Sequence, residues 1–106
     1  MINFEDFDKI DLRLAKIISA EKIEDSDKLL RIQVAIGEEQ KQIIAGIGKF
    51  YSPEELNGKT LVAVANLEPR MMMGLESQAM ILAVKDENGL SLIIPEKEMP
   101  SGLKLS

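Results

Sequence analysis

From Lys28 to Ile36 a large branched apolar side chain recurs at every second position from Leu30 onward, and no other feature of the sequence limits the fold as sharply. Leu30, Ile32, Val34 and Ile36 fall on one face, with Leu29, Arg31, Gln33 and Ala35 on the other. A period of two is the pleat of a half-buried strand. Such a strand needs neighbours, and the flanking segments supply them. Gly37 to Gln40 reads as a turn, and Lys41 to Ile47 as the antiparallel partner. Upstream, Asp11 to Ile23 carries Leu12 and Leu14 in even phase and then Ile17 in odd phase. A regular strand cannot change phase without turning its side chains to the other face, so a β-bulge is expected near Ala15 and Lys16.

Two helices are expected, both short. Asn3 precedes Phe4, Phe7 and Ile10 at three-residue spacing, with Glu5 and Asp6 where a helix dipole favours acid. Ser52-Pro53-Glu54-Glu55 is a capping box with proline at the first helical position, and Gly58 follows the end. Thr60 to Leu67 and Ala79 to Val84 then read as buried strands. Asn88-Gly89 marks a hairpin leading to Leu90–Ile94. A Pro100-Ser101-Gly102 turn precedes a last short strand, Leu103–Leu105. Three strands, a short helix and two more strands, with a bent first strand, give an all-β fold. The order is that of a five-stranded Greek-key OB-fold barrel with short helices and a C-terminal β extension. An SH3-like barrel would satisfy the same periodicity.

The 106 residues amount to a single domain, 1–106, and a domain so small gains from a second copy of itself. The chain has no cysteine and no histidine, which removes disulfides, thiolate metal sites and the commonest general base. Catalysis is therefore the least favoured class, and neither a metal nor a cofactor is expected. Glu24-Asp25 with Asp27, and Asp86-Glu87, match no calcium-loop spacing and read as solvated turns. The N-terminus is acidic where a secretory signal is basic, and no apolar run is long enough to span a bilayer, so a cytoplasmic location is expected. The net charge of −5 opposes phosphate binding, which leaves any nucleic-acid role to the placement of the 13 basic residues.

OB-folds bind oligonucleotides on strands 2 and 3 and in the loops 1–2 and 4–5. Lys28 falls in the first loop, Arg31 and Gln33 on strand 2, and Lys41 and Gln42 on strand 3. Asn66 ends strand 4, and Arg70, Ser77 and Gln78 lie between strands 4 and 5. Solvated edge residues would account for this set equally well. Met71-Met72-Met73 could pack on a base, although plugging the barrel end is the simpler reading. Phe4, Phe7, Phe50 and Tyr51 all lie away from that face, which disfavours base stacking and leaves recognition of a folded RNA by shape.

Five stretches carry a family resemblance: Asp11–Ile17, Ser26–Leu30, Tyr51–Lys59, Val64–Arg70 and Gly74–Met80. In order and spacing they resemble the tRNA-binding domain found at the C-terminus of methionyl-tRNA synthetases, in their separate β-chains and in free-standing tRNA-binding proteins. The resemblance implies an OB-fold that dimerises through its chain ends and binds the outer corner of tRNA without regard to sequence. The methionyl-tRNA synthetase catalytic chain is then a further possible partner. Carried onto matching positions, it implies a contact set of Lys28, Arg31, Lys41, Asn66, Arg70, Ser77 and Met80. The chain departs from the family pattern at Ala15, at Met71–Met73 and at Ala79. A related branch resembles a secretion-associated chaperone, which makes a peptide-binding dimer the alternative.

Overall fold

One strand organises the molecule. In the computed structural model, which describes residues 1–106, β1 (Leu12–Lys22) pairs with β2 (Leu30–Ile36) along its second half and with β4 (Thr60–Val64) along its first. Lys16 belongs to both ladders, opposite Ala35 on one edge and Thr60 on the other. With β3 (Glu39–Ala45) and β7 (Met80–Ile81) the sheet has five antiparallel strands in the order β3-β2-β1-β4-β7. A hairpin of β5 (Arg70–Met72) and β6 (Leu75–Ser77) and another of β8 (Ala83–Asp86) and β9 (Gly89–Leu92) complete the strands. Helix α1 (Phe4–Asp8) precedes β1, and α2 (Pro53–Leu56) joins β3 to β4. The sheet curls until β3 faces β6 and β7, the arrangement expected of an OB-like barrel.

The bulge is real but lies at Ile18, not near Ala15 and Lys16. Register steps there from Ile17↔Val34 to Ser19↔Gln33, leaving Ile18 as the extra residue, 46% exposed. The expectation failed because Leu12 and Leu14 do not mark the core phase. Ala15 and Ile17 point into the barrel, at 0% and 1% exposure, while Leu14 is buried on the opposite face beside Val62. Small Ala15 and Ala63 then sit among large Ile17, Leu30, Ile32, Ile43 and Leu61, the mixture of sizes that fills a narrow barrel. Leu56 of α2 enters the same cluster, and Tyr51 packs against it while its hydroxyl accepts from Leu92 N–H at 3.3 Å.

Both helix caps form as read: Asn3 Oδ1 accepts from Asp6 N–H, and Ser52 and Glu55 make the reciprocal capping box. Other boundaries move. The β2–β3 turn is the tight pair Gly37-Glu38, with Gly37 at φ 64°, so β3 begins and ends two residues early. Thr60–Leu67 stops at Val64. Ala79–Val84 breaks at Leu82, whose N–H donates to Val62 C=O while its own C=O accepts from Ile93 N–H. Ala83 and Val84 are consequently exposed in the β8–β9 hairpin. The turn of that hairpin is Glu87-Asn88, because the Asp86 carboxylate accepts from Asn88 and Gly89 N–H. The tail Leu103–Leu105 pairs with the edge of β1 that β2 vacates, through the bridge Arg13↔Lys104. Gly102, at φ 91°, makes this possible: a Cβ there would lie 2.7 Å from the Gly37 backbone.

Arg31 and Ile32 are adjacent and opposite. Ile32→Ala is expected to cost about 2–5 kcal/mol in urea unfolding as a buried cavity, and Arg31→Ala about 1 kcal/mol at most. Equal losses would mean that the strand faces are assigned wrongly.

Candidate nucleic-acid interface

The outward side of β2 and β3 carries Arg31, Gln33 and Gln42, because Ile32 and Ile43 take the inward phase. These polar side chains form one network. Gln42 Oε1 accepts from Arg31 Nε (2.9 Å) and Gln33 Nε2 (2.9 Å), and its Nε2 donates to Glu76 C=O (2.9 Å). Arg31 also lies 3.6 Å from Glu21. The sequence placed Gln42 at the start of strand 3, but the expected contact set omitted it, since no local pattern reveals a partner 34 residues away.

The segment between β4 and β7 is a hairpin, not a loose loop. Its turn is Met73-Gly74, both at positive φ, 50° and 77°. It presents Met71 and Met73 to solvent, at 67% and 55% exposure, and turns Met72 toward β3. Between the hairpin and β3 runs a groove of about 210 Å³, lined mainly by apolar side chains including Ile44, Leu67, Met72, Met80 and Ile81. Arg70 stands at it. So the methionines neither plug the barrel nor form a uniform surface.

The expected contact residues divide according to what else they hold. Lys28, Arg70 and Met80 are exposed, and no side-chain bond ties any of them down. Arg31 is half-buried in the Gln42 network. The other three are committed to the fold. Lys41 Nζ donates to Ala65 C=O at 2.8 Å across the barrel end. Asn66 Oδ1 accepts from Asp11 N–H (2.9 Å) and its Nδ2 donates to Lys9 C=O (2.8 Å), fastening the α1–β1 junction to the end of β4. Ser77 is 8% exposed; its Oγ accepts from Ile44 N–H (3.0 Å) and donates to Ala79 C=O (3.3 Å). No buried side-chain nitrogen or oxygen lacks a partner.

Two of the cations stand by the groove: Arg70 lines it, and Arg31 is paired in register with Ile44 on its wall. The Lys28 backbone is tied near its far end, where Lys28 C=O accepts from Gly48 N–H next to the groove residue Ile47. Asp27 lies 3.5 Å from Lys49 nearby, so the positive potential is local and modest.

A curled five-stranded barrel with a polar, cation-bearing β2–β3 face defines an OB-like binding module. The chain belongs to the family described as "Putative tRNA binding domain", whose profile matches residues 12–104. It is 51% identical over 105 residues to the methionine–tRNA ligase of Caldanaerobacter subterraneus subsp. tengcongensis, covering 99% of this chain and 16% of that one. With the ligase of Thermotoga maritima it shares 50% identity over 105 residues, covering 99% of this chain and 17% of the ligase. The chain thus spans about a sixth of the length of these relatives. Among solved structures it is similar to a MetRS-related protein from Pyrococcus horikoshii, with TM-score 0.92, 34% identity and coverage of 100% and 98% of the two chains. It is also similar to the chaperone CsaA of Bacillus anthracis str. Ames, with TM-score 0.89, 37% identity and coverage of 100% and 99%.

Ser77→Ala should lower stability by about 1–3 kcal/mol, because it orphans the buried Ile44 N–H. Denaturant unfolding checks this. An unchanged midpoint with weakened RNA binding would return the hydroxyl to the ligand.

Proposed function

We propose that this tRNA-binding domain is a non-catalytic module that holds folded tRNA by its phosphates, using Lys28, Arg31 and Arg70, with Met80 and the groove receiving an apolar part of the RNA. The observation that carries the reading is that Arg70 lines the groove and Arg31 stands opposite the groove residue Ile44, with exposed Lys28 in the segment that precedes β2, while the fold leaves Lys28 and Arg70 unspent. Lys41, Asn66 and Ser77 support the surface by holding backbone groups of the fold. Few phosphates can be engaged by so few cations, so binding is modest and its logarithm falls with the logarithm of salt with a slope of only about two to three. Such a module serves tRNA either alone or beside a methionyl-tRNA synthetase catalytic chain.

The module works as a homodimer. Helix α1 buries none of its residues, and Phe4, Phe7 and Ile10 stand 74%, 39% and 42% exposed. With Leu12 and Leu105 they line an apolar hollow at the joined chain ends, the sort of surface that a second copy covers.

A second reading is favoured by the apolar groove and by the name of the Bacillus anthracis relative: an extended peptide could occupy the groove. The two separate by salt. An apolar peptide would bind almost independently of ionic strength.

Lys28→Ala and Arg70→Ala should each weaken tRNA binding by about fivefold and reduce the salt slope by slightly less than one. Lys97→Ala, remote in the C-terminal segment, should change neither. Equal losses at Lys97 would mean diffuse charge attraction. Sedimentation should report twice the chain mass at micromolar concentration, reduced to a single chain by Phe4→Asp with Phe7→Asp; a wild-type monomer would remove the dimer.

A further inference from the structure

Every polar atom of Gln42 is engaged. Beyond the three side-chain bonds to Arg31, Gln33 and Glu76, its backbone N–H donates to Gln78 Oε1 at 2.8 Å and its C=O accepts from Gln78 N–H at 2.7 Å. The amide has one orientation only. Reversed, it would set its NH₂ against two donors and its oxygen against a carbonyl. Arg31 belongs to β2, whereas Glu76 belongs to the hairpin in which Arg70 pairs with Ser77. A single side chain therefore ties the cation of the sheet to the hairpin that carries the cation of the groove.

We infer that Gln42 is a positioning residue that fixes the Arg31 guanidinium relative to the hairpin strand from which Arg70 projects, and that this preorganisation makes the face prefer a folded RNA to a flexible strand. The inference rests on the reading of this face as the tRNA surface. Its physical basis is preorganisation. A rigid ligand offers its phosphates at set separations, so a face on which Arg31 is already held in place binds it with less ordering cost. A flexible strand adapts to any array and gains nothing from a fixed one. Without Gln42, Arg31 keeps only its loose 3.6 Å contact with exposed Glu21, and such a pair holds a side chain weakly.

The test compares bulk tRNA with a short oligouridine, at one salt concentration, on the full chain and its Gln42→Met and Gln42→Glu variants. Gln42→Met should weaken tRNA binding about three- to tenfold, a coupling of ordinary size for networked neighbours. Oligouridine binding should change less than about twofold, because the charges themselves remain. Gln42→Glu keeps an acceptor for Arg31 but sets a carboxylate against the Glu76 carbonyl, so it breaks only the link to Glu76, while Gln78 and Ser77 still hold the hairpin to β3, and it lowers the tRNA preference by a smaller factor. Should Gln42→Met fail to fold, Gln42→Glu carries the same comparison. Adding Gln42→Met to an Arg31→Met chain should cost less than it does in the wild type.

A purely structural role would lower both RNAs by one factor, and that result overturns the inference, as does full additivity with Arg31→Met. Were Arg70→Ala to weaken tRNA binding while Gln42→Met left it unchanged, only this inference would fall. Were wild type and Arg70→Ala to bind tRNA equally, the reading of the face would fall with it.

Discussion

The structure depends on β1 being paired along both edges over more of its length than any single neighbour can reach. β2 takes residues 16–22, β4 takes residues 12–16, and the C-terminal tail takes the edge that β2 leaves open. The sheet can curl only if β1 bends, and the extra residue Ile18 supplies the bend by moving the inward face from Ala15 and Ile17 to Ala20. The inward phase then meets Ile32 on β2 and Leu61 on β4 around one core. A β1 without the bulge would present Ile17 and Ala20 to opposite sides, and the core would lose a wall.

Closure at the far side is of a different kind. Between β3 and the β6–β7 segment, side chains take over from a regular ladder: Ser77 receives Ile44 N–H, and Gln78 receives Gln42 N–H. A free strand edge invites pairing with other chains, and here short polar side chains occupy it instead. This closure also decides which residues remain for binding. Ser77, Asn66 and Lys41 look like surface polar groups in the sequence, yet each meets a backbone group that would otherwise be unpaired. What remains is a small set of cations beside an apolar groove, on a protein of net charge −5.

That economy fits a surface that recognises shape. Aromatic platforms are absent from the β2–β3 face; Phe50 instead has Lys85 5.3 Å above its ring, and Tyr51 packs against the core. Stacking of successive bases has no support there, which leaves contact through phosphates and shape. At the opposite extreme of polarity, Phe4, Phe7, Ile10 and Leu105 line an apolar hollow. The molecule thus separates a polar β2–β3 face from an apolar end.

Local chemistry was legible in the sequence wherever a short segment decides its own conformation. The alternation of β2, the caps at Asn3 and Ser52, and the five agreeing stretches of the family pattern are such segments, and from them the fold class and family follow. Arg31 and Ile32 took opposite faces because a pleat has a period of exactly two residues, whatever surrounds it. Tertiary structure decided the rest, because the deciding partners are distant in sequence. Leu14 is buried away from the barrel interior, so its phase misplaced the bulge. Ser77, Asn66 and Lys41 were taken up by backbone groups 33, 55 and 24 residues away. Gln42 became the junction of the face for the same reason: an amide's worth lies in which donors and acceptors the fold brings to it, and a linear pattern records only that it is there.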